Sequence, residues 1–256
     1  MRIDLFLFKN DYVKSRQKAK TLVEEGNVKV DGEVIKKPSY DIDECSKHLV
    51  EIFDDCPYVS RGGLKLESII KHLNYDINGK VCVDIGASTG GFTHCLLLNG
   101  AKKVFAVDSG SNQLATELLE DPRVVSIEGY NARNISVDDI GTLADVITMD
   151  VSFISQTLII PAASQLLNEN GVFFCLIKPQ FEVGRSNVGK GGIVKSAKAR
   201  LEAVRSVIGC ANSFGLKCIA LIVSPIQGGD GNIEFLAAFA QNGIEIKDDY
   251  IRKIVL

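Results

Sequence analysis

A chain of 256 residues, 46% hydrophobic and 24% charged, has room for one sizeable core and a small appended module. No run approaches the roughly 18 uninterrupted apolar residues of a membrane span, and Met1-Arg2-Ile3-Asp4 lacks the layout of a secretory signal, so a cytoplasmic protein with no membrane partner is expected. The net charge of −3 argues against a nucleic-acid partner, but residues 1–39 hold nine Lys/Arg against six Asp/Glu, a modest basic excess at one end of an acidic chain.

Residues 15–25 read as a short helix, because Ala19, Leu22 and Val23 recur at helical spacing while Lys14, Arg16, Lys18 and Lys20 take other positions. Gly26 ends it. Val28, Val30, the Asp31-Gly32 turn and Val34 then alternate like a tight hairpin. Taken alone, this is a generic scaffold with a solvated basic face. The run Ser15-Arg16-xx-Ala19-xx-Leu22-Val23-xx-Gly26-x-Val28-x-Val30-Asp31-Gly32 also resembles the RNA-binding domain named after ribosomal protein S-four, over about the first 48 residues. The resemblance implies a small α+β domain that grips RNA through phosphates, with Lys14, Arg16 and Lys20 as candidate contacts. Arg16 and Lys20 are four apart and share a helical face. Residues 41–57 read as a strand end and linker, which puts the expected domain boundary at 1–58 and 59–256.

Beyond about residue 60, short apolar runs recur with helix-like segments between them: Val81 to Ile85, Lys103 to Val107, Arg123 to Ile127, Asp145 to Met149, Val172 to Ile177 and Leu216 to Val223. Such alternation predicts an α/β fold with a mostly parallel sheet and helices on both faces. Ligands of such sheets bind beyond the carboxyl ends of the strands, and four of these runs reach a charged residue there: Asp84, Asp108, Asp150 and Lys178. The first runs into Asp84-Ile-Gly86-Ala87-Ser88-Thr89-Gly90-Gly91-Phe92, a loop that lets backbone approach a ligand at the start of a helix. A phosphate-binding loop needs a lysine where Phe92 stands, and a dinucleotide fingerprint needs a glycine where Ser88 stands. The loop instead resembles the first motif of class I methyltransferases, which wraps S-adenosylmethionine. That resemblance gives Asp108 the cofactor's ribose diol and places Asn131 beside its adenine.

The seven cysteines form no CxxC pair, and several sit in apolar runs as small hydrophobes; His48, His72 and His94 are widely spaced. No metal is expected, so the chemistry falls to lysines and carboxylates. Five motifs, Tyr58-Val-Ser-Arg61-Gly-Gly-Leu-Lys65-Leu, the loop from Asp84 to Phe92, Asp150-Val-Ser-Phe-Ile-Ser155, Leu176-Ile-Lys178-Pro-Gln-Phe-Glu182 and Gly231-Asn-Ile-Glu234-Phe235, together resemble the TlyA (haemolysin A) family over essentially the whole chain. The resemblance implies a Rossmann-like, FtsJ-like catalytic domain with a seven-stranded, mostly parallel sheet behind the RNA-binding domain. It implies S-adenosylmethionine-dependent 2'-O-methylation of ribosomal RNA, free or in ribosomal subunits, with a cytidine as the base. A short N-terminus like this one resembles the members that act on large-subunit RNA. Lys65, Asp150, Lys178 and Glu234 match the family's catalytic tetrad, with Lys178 as candidate base; Arg61, Arg185 and Lys190 are further candidate RNA contacts. A lysine serves as base only when neutral, which burial and a second cation such as Lys65 favour and Asp150 and Glu234 oppose. The glycine-rich segment 182–192 is long enough for a lid. A membrane-acting cytolysin, with no span or basic amphipathic helix to support it, and a non-catalytic RNA-binding factor are the rival functions; the oligomeric state stays open.

Overall fold

The computed structural model describes residues 1–13, 15–24, 26–53, 56–184, 187–228 and 231–256, the Gln17 side chain excepted. The chain divides into two units, Met1–Ser60 and Arg61–Leu256. Lys14 and Arg185 lie outside the described residues.

The first unit contains α1 (Ile3–Lys9), α2 (Arg16–Glu24), β1 (Val28–Val30), β2 (Glu33–Ile35) and β3 (Val50–Ile52). The helix predicted over 15–25 is thus present, ended by Gly26 at φ +76°, a backbone conformation that glycine adopts at little cost. Asp31 and Gly32 both have positive φ, 51° and 85°, the requirement of a two-residue hairpin turn whose twist matches its strands. The turn sets Val30 opposite Glu33, and β3 adds to the other edge of β1. Ile3, Leu7, Leu22, Val23, Val28 and Ile35 form a separate small core. Asp4 is buried in this unit and bonds both Arg2 and Arg16, each at 3.0 Å. Burial pushes its carboxyl up, but the two guanidiniums outweigh it and hold it below the ordinary range.

The second unit runs α3 (Gly62–Leu73), β4 (Val81–Ile85), α4 (Gly91–Leu98), β5 (Lys103–Val107), α5 (Thr116–Leu119), β6 (Val124–Ile127), α6 (Val137–Ile140), β7 (Ala144–Met149), α7 (Ile160–Leu166), β8 (Leu167–Ile177), α8 (Pro179–Glu182), α9 (Ala197–Ser213), β9 (Lys217–Val223), β10 (Phe235–Ala240) and α10 (Asp248–Val255). The sheet order is β6-β5-β4-β7-β8-β10-β9. All six predicted strands form, and β8 begins five residues before the predicted run. The seventh strand, β10, has no position in the sequence reading. All six of its residues are buried, so it shows no alternation to read.

β10 is antiparallel to both neighbours, and this orientation makes the site. Phe235 pairs with Ile177, so the residue preceding β10 lies at the same edge of the sheet as the residue following β8. β7 lies parallel to β8 on the other side. The ends of three adjacent strands therefore present Asp150, Lys178 and Glu234 together. Phe173, Phe174, Phe235 and Phe239 are fully buried beneath them. Among the described residues, no helix is long and apolar enough to cross a membrane.

Candidate active site

The loop after β4 folds back onto β5, with the Gly86 and Ala87 N–H groups donating to the Val107 carbonyl at 2.8 and 3.1 Å. Asp108, the next residue, accepts the Ser88 N–H at 2.8 Å on one carboxylate oxygen and the Gly110 N–H at 2.7 Å on the other. Each oxygen keeps a second lone pair, so Asp108 joins the two loops and can still face a diol. Gly86 has φ +81°, and a Cβ there would lie 2.9 Å from the Asp150 carbonyl carbon and closer still to its oxygen. Only glycine brings the loop after β4 this close to the end of β7. Ser88 is exposed and Thr89 half-buried, whereas Ala87, Gly90, Gly91 and Phe92 are buried under the loop and at the head of α4. These residues fit an elongated ligand carrying a ribose.

Asp84 takes a different place. It is fully buried and accepts the Thr93 hydroxyl at 2.7 Å and the Thr148 hydroxyl at 2.8 Å, so its carboxylate braces the loop between α4 and β7. Burial pushes its pKa up to about 6, the two hydroxyls pull it down, and the Asp150 charge adds to the rise. The native state therefore binds this proton more tightly than the unfolded chain. Stability attached to it is fully present below about pH 4 and is lost as pH rises through about 6. Asp84→Asn, whose amide can accept from one threonine and donate to the other, should gain on the wild type across that window, reaching up to about 3 kcal/mol above it. Denaturant unfolding of both proteins between pH 4 and 8 measures the gain; a stability difference that does not change with pH would reject the assignment.

The tetrad forms two ion pairs. Lys178 Nζ lies 2.6 Å from Asp150 Oδ1 and donates to the Ser152 hydroxyl at 2.9 Å. Lys65, from the first turn of α3, lies 2.7 Å from Glu234 Oε2, and the Glu234 side chain is only 3% exposed. Each cation thus has its own carboxylate. The two lysine side chains are equally exposed, at 12%, but Asp150 is 21% exposed against 3% for Glu234, so the Lys178 pair is the more open.

Three groups with no role in the sequence reading belong here. Ser152 is the second partner of Lys178. Glu128, at the end of β6, accepts the N–H groups of Gln113, Asn112 and Leu114, which hold its carboxyl below the ordinary range and shape the loop after Asp108. Phe153 is 92% exposed at φ +64°, its ring 5.2 Å from that of Phe181. Backbone strain of about 1–3 kcal/mol at a non-glycine residue is retained where the surroundings or a function require it. Ser152 and Phe153 lie inside a motif visible in the sequence, but only the fold shows what they face.

The remaining candidates are scattered. Asn131 is exposed and accepts the Arg133 N–H, capping a short turn at Ala132–Asn134. Arg61 stands at the head of α3, and Lys190 is exposed. In the expected lid, the described residues close on themselves and on buried Asn232, which accepts the Val194 N–H at 3.0 Å and donates to the Gly192 carbonyl at 2.9 Å.

A glycine loop and an acid at the ends of adjacent central strands, in a seven-stranded sheet with one antiparallel member, define the class as the Rossmann-like methyltransferases. Residues 58–241 match the FtsJ-like methyltransferase family and residues 1–46 the S4 domain. The chain is 42% identical over 240 residues to Hemolysin A of Brachyspira hyodysenteriae, covering 93% of this chain and 99% of that protein. It is 37% identical over 234 residues to the 16S/23S rRNA (cytidine-2'-O)-methyltransferase TlyA of Mycobacterium tuberculosis, covering 91% and 87%. A solved structure from Streptococcus thermophilus that carries a hemolysin name superposes with a TM-score of 0.79 at 40% identity, over 100% of this chain and 94% of that one. The chain belongs to the FtsJ-like methyltransferase family, within its TlyA (haemolysin A) group.

Proposed function

We propose that the protein transfers a methyl group from S-adenosylmethionine to a ribose 2'-hydroxyl of ribosomal RNA. The carrying observation is the pair of lysine–carboxylate contacts gathered at the ends of β7, β8 and β10, beside the glycine loop. When bound, S-adenosylmethionine supplies a methyl on a sulfonium already activated for displacement. The chain's task is then to align a poor nucleophile and remove its proton. The loop from Gly86 to Gly91 and the Asp108 carboxylate would hold the cofactor, with Asn131 toward its adenine end. Lys178, once its ammonium has released a proton to solvent, would accept the hydroxyl proton as the ribose oxygen is methylated. Asp150 and Ser152 aim the Lys178 Nζ, and Glu234 with Lys65 flanks it from the next strand. Phe153 offers a flat, fixed apolar face on which a base drawn from its stack can rest.

The finer reading is a cytidine of large-subunit RNA. A relative named for a cytidine of both 16S and 23S RNA supports the base and admits the subunit. The test is to incubate purified protein and methyl-labelled S-adenosylmethionine with small subunits, large subunits and free ribosomal RNA, and to map ribose methylation. Labelled 2'-O-methylcytidine in large-subunit RNA is expected. Transfer to another nucleotide or subunit would reject the finer reading alone, and no transfer to any ribosomal RNA would reject the function.

RNA capture falls to the basic face of α2, with Arg61, Lys190 and the undescribed Lys14 and Arg185 as further contacts. Lys20 and Arg16 are expected to separate experimentally. Lys20 is half-exposed and 3.8 Å from Glu24, an exposed pair of little structural weight. Lys20→Ala should weaken RNA binding, reduce the slope of log affinity against log salt by about one, and leave the melting temperature in place. Arg16→Ala also takes a partner from buried Asp4 and should lower the stability of the first unit as well. Binding isotherms at several salt concentrations, with thermal melts, distinguish the two; unchanged RNA affinity in both variants would remove this face from the interface.

A further inference from the structure

The motif Lys178-Pro179-Gln180-Phe181-Glu182 ends in a carboxylate that the proposed chemistry leaves unused. Glu182 closes α8 and is half-buried. Burial pushes its carboxyl above the ordinary range, against the pull of hydrogen bonds from the Gln156 N–H and the Ser155 hydroxyl. Its Oε1 accepts the Gln156 N–H at 2.8 Å and its Oε2 the Ser155 hydroxyl at 2.6 Å. One carboxylate thus caps the short turn at Gln156–Leu158, which follows directly from the loop carrying Asp150, Ser152 and Phe153.

That loop is fastened at both ends to one stretch of chain. At the near end Lys178 holds Asp150 and Ser152. At the far end Glu182 holds Ser155 and Gln156, and the Gln156 amide, 1% exposed, donates to the Leu176 carbonyl at 2.5 Å. The Phe153 and Phe181 rings meet between the two fastenings. Lys178 is the residue immediately before α8 and Glu182 the last within it, so a single helical turn fixes both fastenings relative to each other. Removing the Glu182 contacts leaves the far end held by the Gln156 amide alone, so the segment from Asp150 to Ser155 loses its link to the end of α8.

We propose that Glu182 is a positioning residue for methyl transfer: through Ser155 and Gln156 it holds the 150–155 loop in register with α8, so that Asp150 and Ser152 present the Lys178 amine in one orientation. The inference rests on the methyl-transfer reading above. It requires two hydrogen-bond contacts and not a charge. Glutamine at 182 can still accept the Gln156 N–H and can donate to Ser155, whose hydroxyl then turns to Thr157 Oγ1, 2.7 Å away. Aspartate, one carbon shorter, cannot span both partners.

The experiment measures kcat and both KM values for methyl transfer to ribosomal RNA. Glu182→Ala and Glu182→Asp should lose on the order of 10- to 100-fold in kcat, the range expected from misalignment of a reacting group, with KM for RNA and S-adenosylmethionine nearly unchanged. Glu182→Gln should retain most of the wild-type kcat. Ser155→Ala should fall between them, and the Glu182→Ala/Ser155→Ala double variant should be no slower than Glu182→Ala alone, because Glu182→Ala already removes the contact to Ser155. Wild-type kcat in Glu182→Ala would overturn the inference, as would a Glu182→Gln as slow as Glu182→Ala or additive losses in the double variant. If Glu182→Ala does not fold, Glu182→Asp and Ser155→Ala make the same comparison with Glu182→Gln. An inactive wild-type protein would instead sink the methyl-transfer reading and this inference with it.

Discussion

Lys178→Ala is expected to slow methyl transfer by on the order of 10²–10⁴-fold, the usual contribution of a positioned base, while S-adenosylmethionine binding and the fold persist. The fold should persist because Asp150 lies at the partly exposed end of β7, where truncating the Lys178 side chain opens its buried Oδ1 to water. Lys178→Arg should not restore the rate. Arginine can keep the contact to Asp150 but cannot lose a proton to serve as base. Lys65→Ala is expected to behave differently, although it belongs to the same tetrad. It strips the partner from Glu234, which is 3% exposed, and an unpaired buried carboxylate costs about 3–5 kcal/mol. Activity and stability should therefore fall together in Lys65→Ala and separate in Lys178→Ala. Single-turnover rates, calorimetric cofactor titration and denaturant melts on the three variants provide the comparison. Near-normal turnover in Lys178→Arg would reduce Lys178 to an electrostatic role and leave the proton to pass directly to water.

What the sequence disclosed, and what it hid, follows from where each signal resides. A charged residue ending an apolar run is a local signal, so Asp84, Asp108, Asp150 and Lys178 could all be placed at strand ends from sequence. Which of them face the crevice is not local. Asp84 turns beneath the loop because Thr93 and Thr148, from α4 and β7, offer hydroxyls to its carboxylate. The Lys65–Glu234 pair joins residues 169 apart and exists only because β10 inserts antiparallel beside β8. No periodicity marks β10 itself, since both its faces are covered. The Asp31-Gly32 hairpin could be read because its turn chemistry lies within two residues. The bond from Arg16 to Asp4 could not, because the same basic helical face suits solvent, RNA or a buried carboxylate from another helix.

Gly86→Ala is expected to abolish measurable S-adenosylmethionine binding, weakening it by about 100-fold or more, and to destabilise the second unit by at least about 2–3 kcal/mol. Two costs combine. At φ +81° a side chain is strained by about 1–2 kcal/mol wherever there is space for it. Here there is none, because the added Cβ would overlap the Asp150 carbonyl and touch Val151 at 3.0 Å. The obstacle is backbone, and it cannot swing aside as a side chain could. The Asp150 N–H is bonded to the Ile85 carbonyl at 2.9 Å, so the end of β7 is tied to the very strand that carries Gly86. Either the loop lifts away from the cofactor or the end of β7 moves and takes Asp150 and its hold on Lys178 with it. Gly141→Ala supplies the control, since Gly141 has φ +72° with nothing within 4 Å of its added Cβ, so only the strain remains. The difference between the two variants in calorimetric affinity and unfolding midpoint therefore isolates the contact with Asp150. Cofactor affinity in Gly86→Ala equal to that of Gly141→Ala would show that the close approach of β4 to β7 does not shape the site, and would move cofactor recognition elsewhere in the crevice.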